Sequence, residues 1–221
     1  MYTLLKPLQV REALLEKGIR IFTPYDFERI FHTSPLKTKY FLETQTEEGL
    51  FSRLKQGIYT LKTDYPSEEE IANALYKPSY ISFEYALAYW NIIPEMPYTI
   101  TSATTKPTRL FTTSNLSFGY YTIKKEAYTG YRLLKVNRSI SVKTDNIDFS
   151  EIPSGNLGIK SFFIAEPEKA LVDFLYFVSI GQRIVNDRVY YKSDSYSKEK
   201  LLKYAQLYER KKLMELVKNY L

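Results

Sequence analysis

The chain has no cysteine, which excludes disulfides, thiolate metal sites and cysteine nucleophiles. Histidine occurs once, at His32, and leaves no material for a Ser-His-Asp triad or a His-rich zinc centre. Glycine is scarce, with eight residues, and none stands in a glycine-rich phosphate loop. No apolar run approaches the roughly 18 residues that span a bilayer. The opening residues do not read as a signal peptide, and none is expected. The expected setting is cytoplasmic, with no membrane partner and no cofactor, and nothing repeats at solenoid spacing.

What is present is a chain of 221 residues, room for one large domain or two ordinary ones. Hydrophobic residues make up 44%, enough for a core, and 21 Tyr with 13 Phe predict heavy aromatic packing. Residues 1–63 hold 10 basic and 7 acidic side chains, and residues 64–221 hold 21 and 18. Each part therefore carries +3 of the total +6, and the smaller part is denser in positive charge. That is compatible with a nucleic-acid partner.

Residues 22–61 organise the rest. Thr23 is placed to cap a helix, with Pro24 at its first position and Asp26 closing a capping box. Phe22 and Phe27 take the two positions of a hydrophobic staple. The start signal recurs at Ser34-Pro35, and Gly49 suits the left-handed end of that second helix. From Leu50 the residues alternate, Lys55-Gln56-Gly57 turns the chain, and Ile58-Tyr-Thr-Leu61 returns. His32 reads as a turn residue. Two capped helices followed by a basic hairpin predict a winged helix-turn-helix over residues 1–63, completed by a helix over residues 4–17 with Leu8, Leu14 and Leu15 on its apolar side. In such a fold the second helix enters a major groove and the hairpin lies along the backbone. The candidate DNA-binding residues are Ser34, Lys37, Thr38, Lys39 and Tyr40 on the helix, with Arg53, Lys55 and Gln56 on the hairpin. Glu43, Glu47 and Glu48 oppose phosphates at the far end of the helix. Phe41 should face the core, whereas either Leu36 or Leu42 could be exposed. A winged helix that is purely structural or binds protein is the plainer alternative.

Residues 62–67 form a polar connection, and the domain boundary is expected there. Ser67 caps three acids, Glu68 to Glu70, in the first turn of a helix through Leu75, where they suit the helix dipole better than a metal. Ser82 caps a short helix ending near Trp90, a candidate core residue. Residues 98–103, 117–123, 131–136, 140–142 and 159–164 read as strands of a mostly antiparallel sheet. Lys106-Pro-Thr-Arg109 and Lys124-Lys125 are basic and read as solvated turns and edge charges. Pro167 opens a helix whose apolar face is Ala170, Leu171, Phe174 and Leu175, with Asp173 opposite or buried with a partner. Ser197 opens two short C-terminal helices, or one kinked near residues 209–212. The expected fold class is α+β: a winged helix, then residues 64–221 as a mixed α+β domain with an antiparallel sheet and C-terminal helices. Two arrangements offer remote catalytic options, Glu209-Arg-Lys211 at nuclease-like spacing and the carboxylates Glu166, Glu168 and Asp173. The dipole at a helix N-terminus explains Glu166 and Glu168 more simply.

Four stretches together resemble the AbiEi family of antitoxins, from bacterial abortive-infection (phage-defence, type IV) toxin–antitoxin pairs. They are Gly49-Leu-Phe-Ser-Arg-Leu-Lys-Gln-Gly-Ile-Tyr59, Tyr80-Ile-Ser-Phe-Glu-Tyr-Ala-Leu87, Phe118-Gly-Tyr120 and Ile164-Ala-Glu-Pro-Glu-Lys-Ala-Leu-Val-Asp173. The resemblance spans nearly the whole chain. It implies a non-enzymatic repressor whose winged helix binds its own promoter as double-stranded DNA. It also implies a C-terminal domain that counteracts a cognate nucleotidyltransferase toxin, functionally and with or without direct contact. The family carries more arginine in the helix and wing, where this chain has Lys37, Lys39, Arg53 and Lys55. Two alternatives remain: a stand-alone transcriptional regulator with a sensing or dimerising C-terminal domain, and a defence nuclease.

Overall fold

The computed structural model describes residues 5–113, 116–137, 159–184 and 197–220, and shows a mixed α+β protein. The strand expected at 140–142 lies outside the described residues. Two compact units are distinguished, one over residues 5–75 and one over residues 76–134 and 161–220, with 135–137 and 159–160 grouped with the first. The boundary expected at 63/64 falls inside the first unit. Among the described residues, no helix is long and apolar enough to cross a membrane.

In the first unit, α1 (Pro7–Glu16) begins three residues later than expected. Lys6 precedes a proline, a position disfavoured in the helical region, and sits extended at ψ 125°. Leu8 is exposed rather than packed, and Val10 takes its place beside Leu14 in the core. Strand β1 (Ile21–Phe22) is too short to mark the sequence pattern. It pairs antiparallel with β3 (Ile58–Leu61), which also pairs with β2 (Phe51–Lys55), giving the order β1-β3-β2. The β2–β3 hairpin closes at Lys55 opposite Ile58, with Gly57 at φ 77° in the turn. Between β1 and the hairpin lie α2 (Pro24–Phe31) and α3 (Pro35–Glu47). The core is Val10, Leu14, Phe22, Phe27, Leu42, Phe51, Tyr59 and Leu61. Helix α4 (Glu68–Leu75) completes this unit. Its capping box is Ser67 with Glu70: the Ser67 N–H donates to Glu70 Oε2 at 2.9 Å and Ser67 Oγ accepts from the Glu70 N–H at 3.4 Å.

The second unit is built on a sheet of order β6-β7-β5-β4-β9-β8. The strands are β4 (Ser79–Ile81), β5 (Thr99–Thr104), β6 (Arg109–Thr112), β7 (Ser117–Thr122), β8 (Tyr131–Asn137) and β9 (Ile159–Ala165). The sheet is mixed rather than mostly antiparallel. β5 runs parallel to β7 over six residue pairs and β4 meets β9 in parallel, while β4–β5 and β6–β7 are antiparallel. Arg109 opens β6 at the edge of the sheet, where an edge charge is expected, and β7, next in sequence, inserts between β6 and β5. Helices α5 (Phe83–Tyr89) and α6 (Pro167–Ser179) pack on each other. Phe83 enters α5 at φ 57°, a costly conformation for a bulky residue. Its ring is held edge-on by Tyr121 and Phe177, with the Arg183 guanidinium 4.3 Å from its centroid. Trp90 is half-buried rather than core; its indole Nε1 donates to the Ala165 carbonyl at 2.9 Å. The C-terminal helices are two, α7 (Lys198–Gln206) and α8 (Lys211–Lys218), as the slipping apolar stripe predicts.

Candidate functional site

The candidate nucleic-acid surface rests on a turn that the local sequence builds securely. Thr23 caps α2 as expected: its Oγ1 accepts from the Asp26 N–H at 3.2 Å, and Asp26 Oδ2 accepts from the Thr23 N–H at 3.0 Å. The staple forms too, with Phe22 and Phe27 centroids 5.9 Å apart. His32 ends α2 in the left-handed region at φ 51°, where histidine is tolerated. Ser34 takes the N-cap backbone position of α3, but its side chain makes no capping bond. The turn is instead closed by the hydroxyls of Thr33 and Thr38, 2.7 Å apart. At the other end Gly49 takes φ 87°, and the Leu50 N–H reaches back to the Gln45 carbonyl at 2.9 Å.

The rotation of α3 shows in what it buries. Thr38, Leu42 and Gln45 are buried, Phe41 is half-buried against the core, and Leu36 and Tyr40 are exposed. Thr38 therefore leaves the set of groove contacts, because its hydroxyl is bound and its side chain wholly inside. Lys37, Lys39 and Tyr40 stand on accessible surface, as do Arg53 and Gln56 of the hairpin. Lys55 is half-buried and is drawn away from the exposed side of the hairpin, since its Nζ donates to the Leu75 carbonyl at the C-terminus of α4, 2.9 Å away. Glu43, Glu47 and Glu48 are exposed along the C-terminal half of α3, so its N-terminal half is the electropositive end.

The polar connection after the hairpin is pinned by an ion cluster. Arg20 is buried, with its Nε on Asp64 Oδ2 at 2.9 Å and its Nη1 on Glu70 Oε1 at 3.4 Å. Glu70 thus serves both the capping box and Arg20, a tertiary role that a first-turn acid does not announce.

The second concentration of chemistry is buried. Asp173 has no solvent exposure and accepts four donors. Tyr80 Oη donates to Oδ2 at 3.0 Å, Ser82 Oγ to Oδ2 at 2.7 Å and Tyr208 Oη to Oδ1 at 2.5 Å, and Lys169 Nζ completes the set on Oδ1. Burial pulls the Lys169 ammonium below its usual range, against the pull of Asp173. Burial, then the Asp173 charge, drives the Tyr80 and Tyr208 phenols well above theirs. Asp173 is thus closed to any substrate, and Glu166 and Glu168 do not converge on it. Glu168 Oε1 accepts from the Ser197 N–H at 3.0 Å, and Glu166 Oε2 accepts from Lys200 Nζ at 2.8 Å and Tyr204 Oη at 3.1 Å. Both carboxylates fasten α7 rather than form a catalytic set. Glu209 lies at the break between α7 and α8 at φ 49°, not within a helix, and pairs with Lys124 at 3.3 Å. Arg210 Nη2 donates to the Ser179 carbonyl at 3.0 Å.

One signal could have found the buried pair. Lys169 and Asp173 stand at i, i+4 inside an otherwise apolar helical run, a spacing that pairs charges on one face. Tyr208 carries no such mark.

The Lys200 hydrogen bond holds the Glu166 carboxyl below its usual value of 4.5, and burial, then the bond to Glu166, pushes Tyr204 up to about 12. A depressed carboxylate stabilises the fold above its unfolded value and loses that contribution as pH falls through its folded value. Glu166→Gln is therefore expected to flatten the acid limb of unfolding below pH 4.5. Trp90 emission followed during acid titration reads the difference, and superimposable curves for variant and wild type would refute the assignment.

No protein-family model and no curated protein matches the chain.

Proposed function

We propose that the first unit is a winged helix that binds double-stranded DNA upstream of its own gene. We further propose that the whole chain is the antitoxin of an abortive-infection pair whose toxin is a nucleotidyltransferase. The observation that carries the DNA reading is the exposure of Lys37, Lys39, Tyr40, Arg53 and Gln56 on α3 and the hairpin, while the opposite sides of both are committed to the aromatic core. The four stretches that resemble the AbiEi family support the antitoxin reading. All four contribute buried residues: Phe51 and Tyr59 from the first, Tyr80 and Ser82 from the second, Phe118 and Tyr120 from the third, Lys169 and Asp173 from the last. DNA is held by Lys37, Lys39 and Arg53, with Lys55 reserved for α4. Antidote action resides in the second unit.

With three phosphate contacts, log affinity should fall against log salt with a slope of about −2.7. Mobility shifts of the upstream duplex across a salt series measure it, and a salt-independent shift or none counts against DNA binding. Lys37→Ala with Lys39→Ala is expected to abolish repression of a promoter reporter while rescue from the co-expressed toxin persists at matched antitoxin levels. Loss of both activities together would show that the roles are not divided between the units.

A further inference from the structure

We propose that Leu36 and Tyr40 read thymine C5-methyl groups in the major groove, so that the duplex this chain recognises carries thymines beneath the first two turns of α3. The proposal rests on the DNA-binding reading above and adds its base preference.

The observation is an inversion along α3. The helix buries two polar residues, Thr38 and Gln45, and exposes two large apolar ones, Leu36 at 79% and Tyr40 at 73%. Both polar residues have hydrogen-bond partners close by in the chain, Thr38 in Thr33 at 2.7 Å and Gln45 in Glu48 Oε2, to which it donates at 2.5 Å. The rotation places Thr38 and Gln45 beside Leu42 on the inward face and leaves Leu36 and Tyr40 outside. Leu36 and Tyr40 are i, i+4 neighbours, roughly 40° apart around the helix, and form one continuous patch.

Charge names the occupant. Lys37 and Lys39 stand roughly 200° apart around the helix, one on each flank of that patch. Two cations beside an apolar midline match a groove with phosphates on both walls and methyl groups on its floor. The thymine methyl is the apolar feature a base pair offers there, and aliphatic or aromatic side chains meet it by direct contact. Glu43 and Glu47 continue the midline toward the C-terminus, so only the N-terminal half of α3 approaches the phosphates.

The test uses the full chain and the upstream duplex in two forms, one with thymine and one with deoxyuridine, which keeps the pairing and removes only the methyl. Fluorescence anisotropy at fixed salt should show weaker binding to the deoxyuridine form, roughly fourfold for each methyl contacted. Leu36→Ala with Tyr40→Ala should bind the two forms equally. Tyr40→Phe keeps the ring and should keep the discrimination, which guards against a misfolded variant. Lys37→Ala with Lys39→Ala should weaken both forms while preserving their ratio. Equal binding of both forms by the wild type overturns the methyl reading and leaves DNA binding standing. So does a ratio that persists in the Leu36→Ala, Tyr40→Ala variant, because the methyls then act through DNA shape. If that variant instead loses self-association in sedimentation with no change toward either duplex, the patch docks a second copy and the proposal fails. No binding to any duplex overturns both readings.

Discussion

Replacing Asp173 by alanine is expected to destabilise the second unit by about 3–5 kcal/mol, the range for stripping the partner from a buried charge. The carboxylate has no solvent exposure, and four donors converge on it from three parts of the chain: β4 and the residue after it, α6, and the turn after α7. Removing it leaves Lys169 Nζ with the Tyr208 hydroxyl at 3.3 Å and the Tyr208 ring at 4.9 Å, neither of which carries a compensating charge. It also strands the hydroxyls of Tyr80 and Ser82, each an additional penalty of about 1–3 kcal/mol if nothing replaces the acceptor. The pH dependence has a definite sign. Burial already holds Lys169 below its usual 10.5, and loss of Asp173 removes the force that opposes this. The unfolded chain then binds more protons than the folded one over a wider window, so the stability of the variant should climb with pH toward 10.5 more steeply than that of the wild type. Lys169→Met combined with Asp173→Asn removes both charges and keeps an acceptor for the hydroxyls. It should be markedly less destabilised than Asp173→Ala alone. Urea unfolding followed by Trp90, the single tryptophan, reports on this unit directly. A loss below about 1 kcal/mol for Asp173→Ala, smaller than a single buried unsatisfied group requires, would show that the carboxylate is not the hub.

The contrast between that hub and the α2 cap explains how far the sequence could be read. Thr23, Pro24 and Asp26 specify a helix start within four residues, and the structure reproduces it atom by atom. The staple, the Gly57 turn and the break between α7 and α8 are equally local. The rotation of α3 is not legible, because Leu36, Tyr40, Phe41 and Leu42 spread around the helix and give no single apolar stripe. The burial of Leu42 and Thr38 settles it, and Thr33 and Thr38, five residues apart, look like ordinary helix-start chemistry. Lys55 reads as a wing cation until α4 brings the Leu75 carbonyl to it. Alternation identifies β5 and β7 as strands, but period two says nothing about partner or direction, so their parallel pairing stays hidden. β4, three residues long, merges in the sequence pattern with the α5 segment that follows it. The motifs around Tyr80 and Asp173 are visible separately. That Tyr80 donates to Asp173 across 93 residues is a property of the fold alone.

Phe27→Ala is expected to remove about 3–5 kcal/mol from the first unit, the range for truncating a fully buried aromatic. Phe27 has no exposure and sits among four rings, with centroid distances of 4.5 Å to Phe31, 5.6 Å to Phe41, 5.9 Å to Phe22 and 6.5 Å to Phe51. These neighbours come from α2, α3, β1 and β2, so one side chain ties the capped turn to the hairpin. The surrounding rings are too rigid to collapse into the vacancy, which places the loss toward the upper end. A unit of this size holds only about 4–10 kcal/mol in total, at roughly 0.05–0.15 kcal/mol per residue. The loss is therefore a large part of what keeps α3 in place. Trp90 lies in the other unit, so the readout is amide hydrogen exchange in α2, α3 and the hairpin, which should accelerate roughly a hundredfold or more. Phe27→Leu keeps much of the volume and should retain most of the protection. The exposed lysines of α3 are untouched by either change. Weakened DNA binding by Phe27→Ala at temperatures where Phe27→Leu still binds would show that Lys37 and Lys39 act only when the turn holds them at the required spacing. Unchanged exchange in α3 after Phe27→Ala would mean that the helix is held by something other than this aromatic cluster.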